Sequence, residues 1–369
     1  MAVATDSLRV ALLASNRHPI AQPFAGGLEA HVWHLARALR QRGHRVTLFA
    51  ADGSDPGGGV ATMRVRGIRP SSAAAHDVSM PSERFLADHH AYLRLMMEMI
   101  DTGPECFDII HNHSLHYLPL AMAPMLEVPM LTTLHTPPTP WLESALDISG
   151  GAGSRFAAVS RYTADAWRHA APDVAVIGNG IDTEAWPVGD GGEDLVWFGR
   201  FTPEKGPHLG IEAARYAGRR LHLAGPISDA RYFDDHIAPM LGPGVRYHGH
   251  LDQARLARLI GACAAALVTP LWDEPYGLVV AESLACGTPV AAFARGGVPE
   301  ILDDRCGRLA TPGDGRALAA AAGEAVRLSR AQARRRAVTA CGERAMIAAY
   351  LRCYRRMSAG ASAAGKVPA

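Results

Sequence analysis

The sequence is marked first by what it lacks. None of its six cysteines, at 106, 263, 286, 306, 341 and 353, stands in a C-x-x-C pair. The thiols therefore read as buried and free, in a reducing compartment. No run of about twenty apolar residues occurs, so no membrane-crossing helix is expected. The opening stretch MAVATDSLRVALLASNRHP holds an apolar core of about seven residues, too short for a signal-peptide core followed by a cleavage site. A cytoplasmic protein is the expectation. Neither sign of charge is in excess: 37 Lys and Arg stand against 36 Asp and Glu, a net charge of +1. That excludes bulk nucleic-acid binding through a basic surface. There is no G-x-G-x-x-G fingerprint and no internal repeat.

What is present is a long run of strand–helix alternation. The 369 residues, 48% hydrophobic and 20% charged, suit a globular chain of two domains. Continuous apolar runs such as LRVALLA (8–14) and RVTLFA (45–50) have the character of strands buried on both faces. Between them, Leu28, Val32, Leu35, Ala36 and Leu39 share one face of a helix that Gly43 ends. Strands are expected further at 60–66, 107–113, 129–135, 155–160 and 174–182. Residues 183–194, TEAWPVGDGGED, read as a linker. Alternation then restarts with strands at 195–199, 220–225, 245–250, 265–270 and 289–294. The predicted architecture is α/β: two Rossmann-like doubly wound domains, 1–182 and 195–343, facing each other across a cleft. A last helix spans 344–357, with a disordered tail over 358–369.

In open α/β sheets ligands sit beyond the carboxyl ends of the strands, so the post-strand loops carry the chemistry. The most informative is WDEPYGLVVAESLACGTPV (272–290). Glu274 precedes Pro275 and is biased to extended backbone. Gly277 permits close backbone approach, and the helix from about Leu278 presents free amides of Leu278 and Val279, a place for an anion. Glu282 lies on the same face, one turn further in. Two carboxylates flanking a phosphate cradle make sense if each accepts hydrogen bonds from hydroxyls, one set on a ribose and the other on a sugar. In FGRFTPEKGP (198–207), Arg200 and Lys205 supply two cations suited to a diphosphate. Gly26 and Gly27, opening the first helix, offer amides from the opposite wall. His135 stands at a strand end, where it can bond a sugar hydroxyl or steady charge. His111, His113 and His116 cluster nearby, but no carboxylate or cysteine completes a metal set at usual spacing, and no metal is expected. Asn179 and Asp182 read as turn formers.

These segments resemble the retaining glycosyltransferases of family 4. EPYGLVVAE matches that family's E-x7-E signature, and GGLEAHV, GRFTPEKG, NGID, ACGTPV and GGVPEI follow in the same order, so the resemblance spans about residues 8–357. It implies the GT-B fold, with the final helix crossing back onto the first domain. It also implies a nucleotide-sugar donor, held mostly by the second domain. Carried over by motif, Glu282 resembles the ribose ligand, and Arg200 and Lys205, with the amides of Leu278 and Val279, the diphosphate ligands. Glu274 resembles the carboxylate on the donor sugar and His135 the histidine near it. Gly26 and Gly27 resemble the loop that closes on phosphate. The one departure is Gly178, where the family has proline.

A metal-independent, retaining hexosyl transfer follows from this resemblance, with fixed cations in place of a divalent ion, and UDP ahead of GDP and ADP by family frequency. The acceptor is a hydroxyl of a small molecule, a sugar or a lipid, with Trp141, Tyr117 and His113 available to stack against it. Oligomeric state is left open. The basic stretches MRVRGIRP (63–70) and ARRR (333–336) keep a peripheral membrane contact open as well. The alternatives are a nucleotide-sugar epimerase or phosphorylase on the same fold, and a non-catalytic nucleotide-sugar-binding module.

Overall fold

The computed structural model describes residues 7–79 and 81–364. Its thirteen strands form two wholly parallel sheets. The first contains β1 (Arg9–Leu13), β2 (Arg45–Ala50), β3 (Ala61–Arg64), β4 (Ile109–Asn112), β5 (Met130–Leu134), β6 (Ser154–Ala158) and β7 (Val174–Val176), in the order 3-2-1-4-5-6-7. The second contains β8 (Leu195–Phe198), β9 (Leu221–Ala224), β10 (Val245–Tyr247), β11 (Ala265–Val268), β12 (Val290–Phe293) and β13 (Gly307–Ala310), in the order 10-9-8-11-12-13. The central strands β4, β5, β8, β11 and β12 are buried throughout. Helices covering both faces leave no solvated side for polar alternation. Strand β13 escapes sequence reading because Arg308 and Leu309 leave its middle partly open, as befits an edge strand.

Each sheet reverses its winding once, between β1 and β4 in the first and between β8 and β11 in the second. The loops after these four strands, with that after the adjacent β5, bear Gly26–Gly27, His113, Arg200–Lys205, Glu274 and His135. Winding order alone thus gathers residues scattered over 250 positions at two facing strand ends.

The chain passes between the halves twice, side by side. The Ile181 amide donates to the Cys341 carbonyl (2.8 Å) and the Glu343 amide to the Ile181 carbonyl (3.0 Å). Gly180 is packed so tightly there that a Cβ would lie 2.5 Å from Cα of Glu343. The C-terminal helix Glu343–Ala364 then lays Met346, Ile347, Tyr350, Leu351, Tyr354 and Met357 into the first half's core. It runs seven residues past the expected end at Met357. The alanines of its continuation favour helix, and Gly360 alone does not stop it. Residues 365–369 of the expected tail lie outside the described residues.

The segment 183–194 is clamped rather than loose. Arg330 donates to the carbonyls of Gly189, Gly261, Cys263 and Cys286, and Arg334 to those of Thr183, Trp186 and Ala285. Arg336 bonds the carbonyls of Glu300 and Ile301. The ARRR run is thus largely turned inward on backbone oxygens, which a planar five-donor guanidinium suits. It is not the basic surface that a membrane reading needs. Five of the six cysteines are buried, Cys106 is exposed, and all six are free. No helix among the described residues is long and apolar enough to cross a membrane.

Candidate active site

A single cleft between the sheets is lined by eight of the ten residues singled out from sequence: Gly26, Gly27, Arg200, Lys205, Glu274, Leu278, Val279 and Glu282. The other two stand close by. Gly277 caps the helix Leu278–Ala285 from behind, at φ 104° and ψ 60°, a left-handed conformation that favours glycine. His135 is half-buried and lines a smaller cavity with Asn112, Ser114, Thr133 and Leu142.

The centre of the cleft is an ion pair. Lys205 Nζ lies 2.5 Å from Glu274 Oε2, with the two side chains 21% and 15% exposed. Trp272 Nε1 donates to the same oxygen at 3.1 Å, and the Lys205 ammonium stands 5.1 Å from the Trp272 ring centroid. The position of Glu274 is fixed from behind. Its carbonyl accepts from the Gly297 amide at 2.7 Å, and a Cβ on Gly296, at φ +61°, would lie 2.1 Å from that carbonyl oxygen. The glycine pair of GGVPEI is therefore the surface against which the Glu274 loop rests. Glu300 of the same segment reaches the first half, accepting from the amides of Arg161 (3.0 Å) and Tyr162 (2.8 Å) at a helix start. Thr163 donates to the Pro275 carbonyl at 3.3 Å.

The Arg200 side chain is 40% exposed, and among the described residues its one ion-pair contact is to Glu204 at 3.9 Å. Such a surface pair contributes little and leaves the cation available. The first amides of the helix Leu278–Ala285 have no partner within the helix and face the same space. From the opposite wall, Gly27 comes so near that a Cβ would lie 2.9 Å from Leu278 Cδ1. The two loops expected to share an anion do meet. Glu29 is buried, and its Oε2 would stand 3.1 Å from a Cβ at Gly26, so it folds back over the glycine loop rather than lying on the surface. Gly178, the departure from the family pattern, lies against the ring of Tyr276, 3.2 Å from its own would-be Cβ.

Glu282 has no hydrogen-bond partner among the described residues. Desolvation pushes its carboxyl up to about 8. Near neutrality it therefore keeps its proton, and hydroxyl donors arriving beside it would favour the carboxylate.

The first half answers with neutral imidazoles. Burial holds His31 down to about 3 and His34 to about 4, and keeps His111, His113 and His135 well below the usual range. His113 Nδ1 and His135 Nε2 are 2.8 Å apart. His111 is held by the Tyr354 hydroxyl (2.6 Å) and Thr133 Oγ1 (2.7 Å). His113 is 1% exposed, wedged between His111 and His135, so it cannot stack on an acceptor as expected. Trp141 and Tyr117 do reach the surface region, their rings stacked at 5.4 Å, and Trp141 is 59% exposed.

Sequence reasoning missed His31 and His34, which line the cleft from the first turns of the helix Gly27–Gln41. The i, i+3 spacing of these histidines, just after the glycine pair, was the available signal. It also missed the contact across the cleft rim, where Gln22 Nε2 donates to Gln253 Oε1 at 3.2 Å. No sequence pattern marks that pair.

Two parallel sheets wound toward one cleft, with cations, a helix N-terminus and carboxylates at the facing strand ends, make up the GT-B architecture. The family model for Glycosyltransferase Family 4 matches residues 25–185, and that for Glycosyl transferases group 1 matches residues 182–340. The chain therefore belongs to the family 4 type of glycosyltransferase, whose two halves these models describe in succession. It is similar to the glycogen synthase of Mycobacterium tuberculosis, 28% identical over 337 residues that cover 80% of this chain and 81% of that protein. It is also similar to the D-inositol 3-phosphate glycosyltransferase of Mycobacterium avium, 28% identical over 356 residues and 80% of each chain. Among solved structures, Anabaena Alr3699/HepE in complex with UDP and glucose superposes with a TM-score of 0.73 at 19% identity, covering 94% of this chain and 99% of that one. Sucrose-phosphate synthase from Thermosynechococcus elongatus gives 0.76 at 21% identity, covering 95% and 99%.

Proposed function

We propose that the protein transfers a hexosyl group, with retention of anomeric configuration and without a divalent metal, from a nucleoside-diphosphate sugar to an acceptor hydroxyl. UDP is the favoured nucleotide, and Alr3699/HepE, with UDP and glucose bound, carries the same fold. The observation that carries this reading is the Lys205–Glu274 pair at the mouth of the helix Leu278–Ala285, facing the Gly26–Gly27 loop.

The leaving diphosphate gathers negative charge as the glycosidic bond breaks. Lys205, Arg200 and the amides of Leu278 and Val279 are already oriented toward that space, so little reorganisation accompanies the reaction. Each such donor is worth about 3–4 kcal/mol of barrier. Glu274 does two things. It holds the Lys205 ammonium in place before the donor arrives, and it accepts from the donor-sugar hydroxyls. Glu282 accepts from the ribose hydroxyls, which gives its half-buried carboxyl a partner. The paired Glu274 is poorly disposed as a covalent nucleophile, which favours same-face attack with a β-phosphate oxygen receiving the acceptor proton.

The acceptor approaches over the first half, where Trp141 and Tyr117 offer an aromatic surface. A glycogen synthase and a D-inositol 3-phosphate glycosyltransferase are among the relatives, in keeping with a hydroxyl-rich acceptor. The test is a thermal-shift panel with UDP, GDP, ADP and dTDP, followed by NMR of the transfer product. A cognate nucleotide raises stability by RT ln(1 + [L]/Kd), so one base should stand out. No stabilisation by any of the four, or an inverted anomer, overturns the reading.

A further inference from the structure

Three histidines from three separate elements converge on one point beside the cleft. His31 comes from the helix after the glycine loop, His113 from the end of β4 and His135 from the end of β5. One ring nitrogen of each lies within 4.8 Å of the other two. His31 and His113 are each 1% exposed. Both ring nitrogens of His31, and Nε2 of His113, lack any partner among the described residues. Buried imidazole nitrogens are ordinarily bonded, and three orphans in one cluster require an explanation. The neighbouring His111 cannot supply it, because both of its nitrogens are taken by Tyr354 and Thr133. His31 lines the cleft, so the cluster is reached from there.

The geometry points to a binding site for one zinc-class divalent cation, ligated by His31, His113 and His135 with an open fourth position. An all-imidazole set suits Zn²⁺, Co²⁺, Ni²⁺ or Cu²⁺. It does not suit Mg²⁺ or Ca²⁺, which take oxygen ligands. Zinc–nitrogen bonds of about 2.0–2.1 Å place tetrahedral ligand atoms about 3.3 Å apart. No separation exceeds 4.8 Å, so closure is at most about 1.5 Å, and the 2.8 Å His113–His135 contact opens by about 0.5 Å. Side-chain rotation covers both changes. Ligation exchanges the His113–His135 hydrogen bond for three metal–nitrogen bonds and gives His31, unpartnered at both nitrogens, its one strong partner. Three protein ligands leave a fourth position for water. The ion opposes catalysis rather than assisting it, because it occupies His135. This consequence rests on the role proposed above for His135, whereas the site itself does not.

The test uses the full chain, stripped with a chelator and titrated with Co²⁺ in the absence of any donor. The expected result is one equivalent bound, with the visible bands of tetrahedral cobalt. His31→Ala and His113→Ala should each weaken binding by about a hundredfold or more, since loss of a mere outer-shell partner costs 10–100-fold. His76→Ala, at an exposed remote position, should bind as the parent does, and Mg²⁺ should not compete. X-ray absorption on the zinc-loaded parent, which needs no variant, should count three imidazoles. Absence of stoichiometric binding, a shell with fewer than three imidazoles, or full binding by a folded His31→Ala would each overturn the site. If cobalt binds as expected but zinc leaves transfer unimpaired, the site stands and the role of His135 falls.

Discussion

The two halves are wound alike and furnished differently. Each is a parallel sheet with one reversal, and in each a loop at that reversal lines the common cleft. The second half meets it with charge: Arg200, Lys205, Glu274, Glu282 and a helix N-terminus. The first meets it with glycines and with imidazoles that burial keeps neutral. The same topology thus serves as an electrostatic clamp on one side and as a close-fitting, uncharged wall on the other. The contrast teaches that the fold fixes where chemistry happens, while the residue types at the strand ends decide which part of a charged donor each half can face.

The sharpest way to break this contrast is to remove the clamp. Lys205→Ala takes away a cation and leaves Glu274 half-buried without its partner. We expect kcat to fall by about 10²–10³, or 3–4 kcal/mol, with Lys205→Arg recovering part of it. A rate within threefold of the parent in a donor-saturated assay would remove the second half from the chemistry.

Next comes the backing of the clamp. Gly296→Ala forces a side chain into φ +61° and toward the Glu274 carbonyl oxygen, 2.1 Å from the new Cβ. Left-handed strain alone costs about 1–2 kcal/mol, and the contact is with backbone that must itself move. Urea unfolding should show a loss above about 2 kcal/mol, with nucleotide affinity falling in parallel. Unchanged stability would mean that the Glu274 loop is not held from behind.

A third change addresses the orphaned acid. The carboxyl of Glu282 sits at about 8 in the free protein. Hydroxyl donors favour the carboxylate, so a bound ribose lowers that value, and binding near neutrality releases a proton. Donor affinity should therefore rise with pH and level off above about 8. Glu282→Gln should flatten this slope and lower affinity by about tenfold, consistent with a charged hydrogen bond of about 1.5–3 kcal/mol. Calorimetry in two buffers of different ionisation enthalpy reads the proton directly.

Much of this arrangement is legible in sequence, and the reason is local. Buried parallel strands are continuous apolar runs, and the Glu274, Lys205 and glycine loops owe their character to prolines, glycines and charges adjacent in the chain. What escapes depends on distance along the chain. His31 and His113 are 82 positions apart, so nothing local shows that they share a pocket with His135. The role of Gly296 is set by Glu274, which lies 22 residues earlier. Arg334 and Arg336 look like surface charge until the backbone carbonyls they clamp are seen. His113 looks exposed at a strand end until β5 is laid beside β4.

The smallest expected effect probes the neutral wall. The C-terminal helix leaves the second half and inserts the Tyr354 hydroxyl against His111 Nδ1 at 2.6 Å. Tyr354→Phe removes that partner and keeps the ring, so packing is preserved while one buried nitrogen is orphaned. A cost of about 1–2 kcal/mol in urea unfolding is expected. Because His111 packs against His113 at 3.9 Å between ring centroids, the freed ring should also shift the imidazole NMR signals of His113 and His135. Donor binding should change little, since it rests on the charged half. If Tyr354→Phe instead weakens nucleotide affinity as strongly as Glu282→Gln, the division between a charged clamp and a neutral wall fails. The crossing helix would then govern both sides of the cleft.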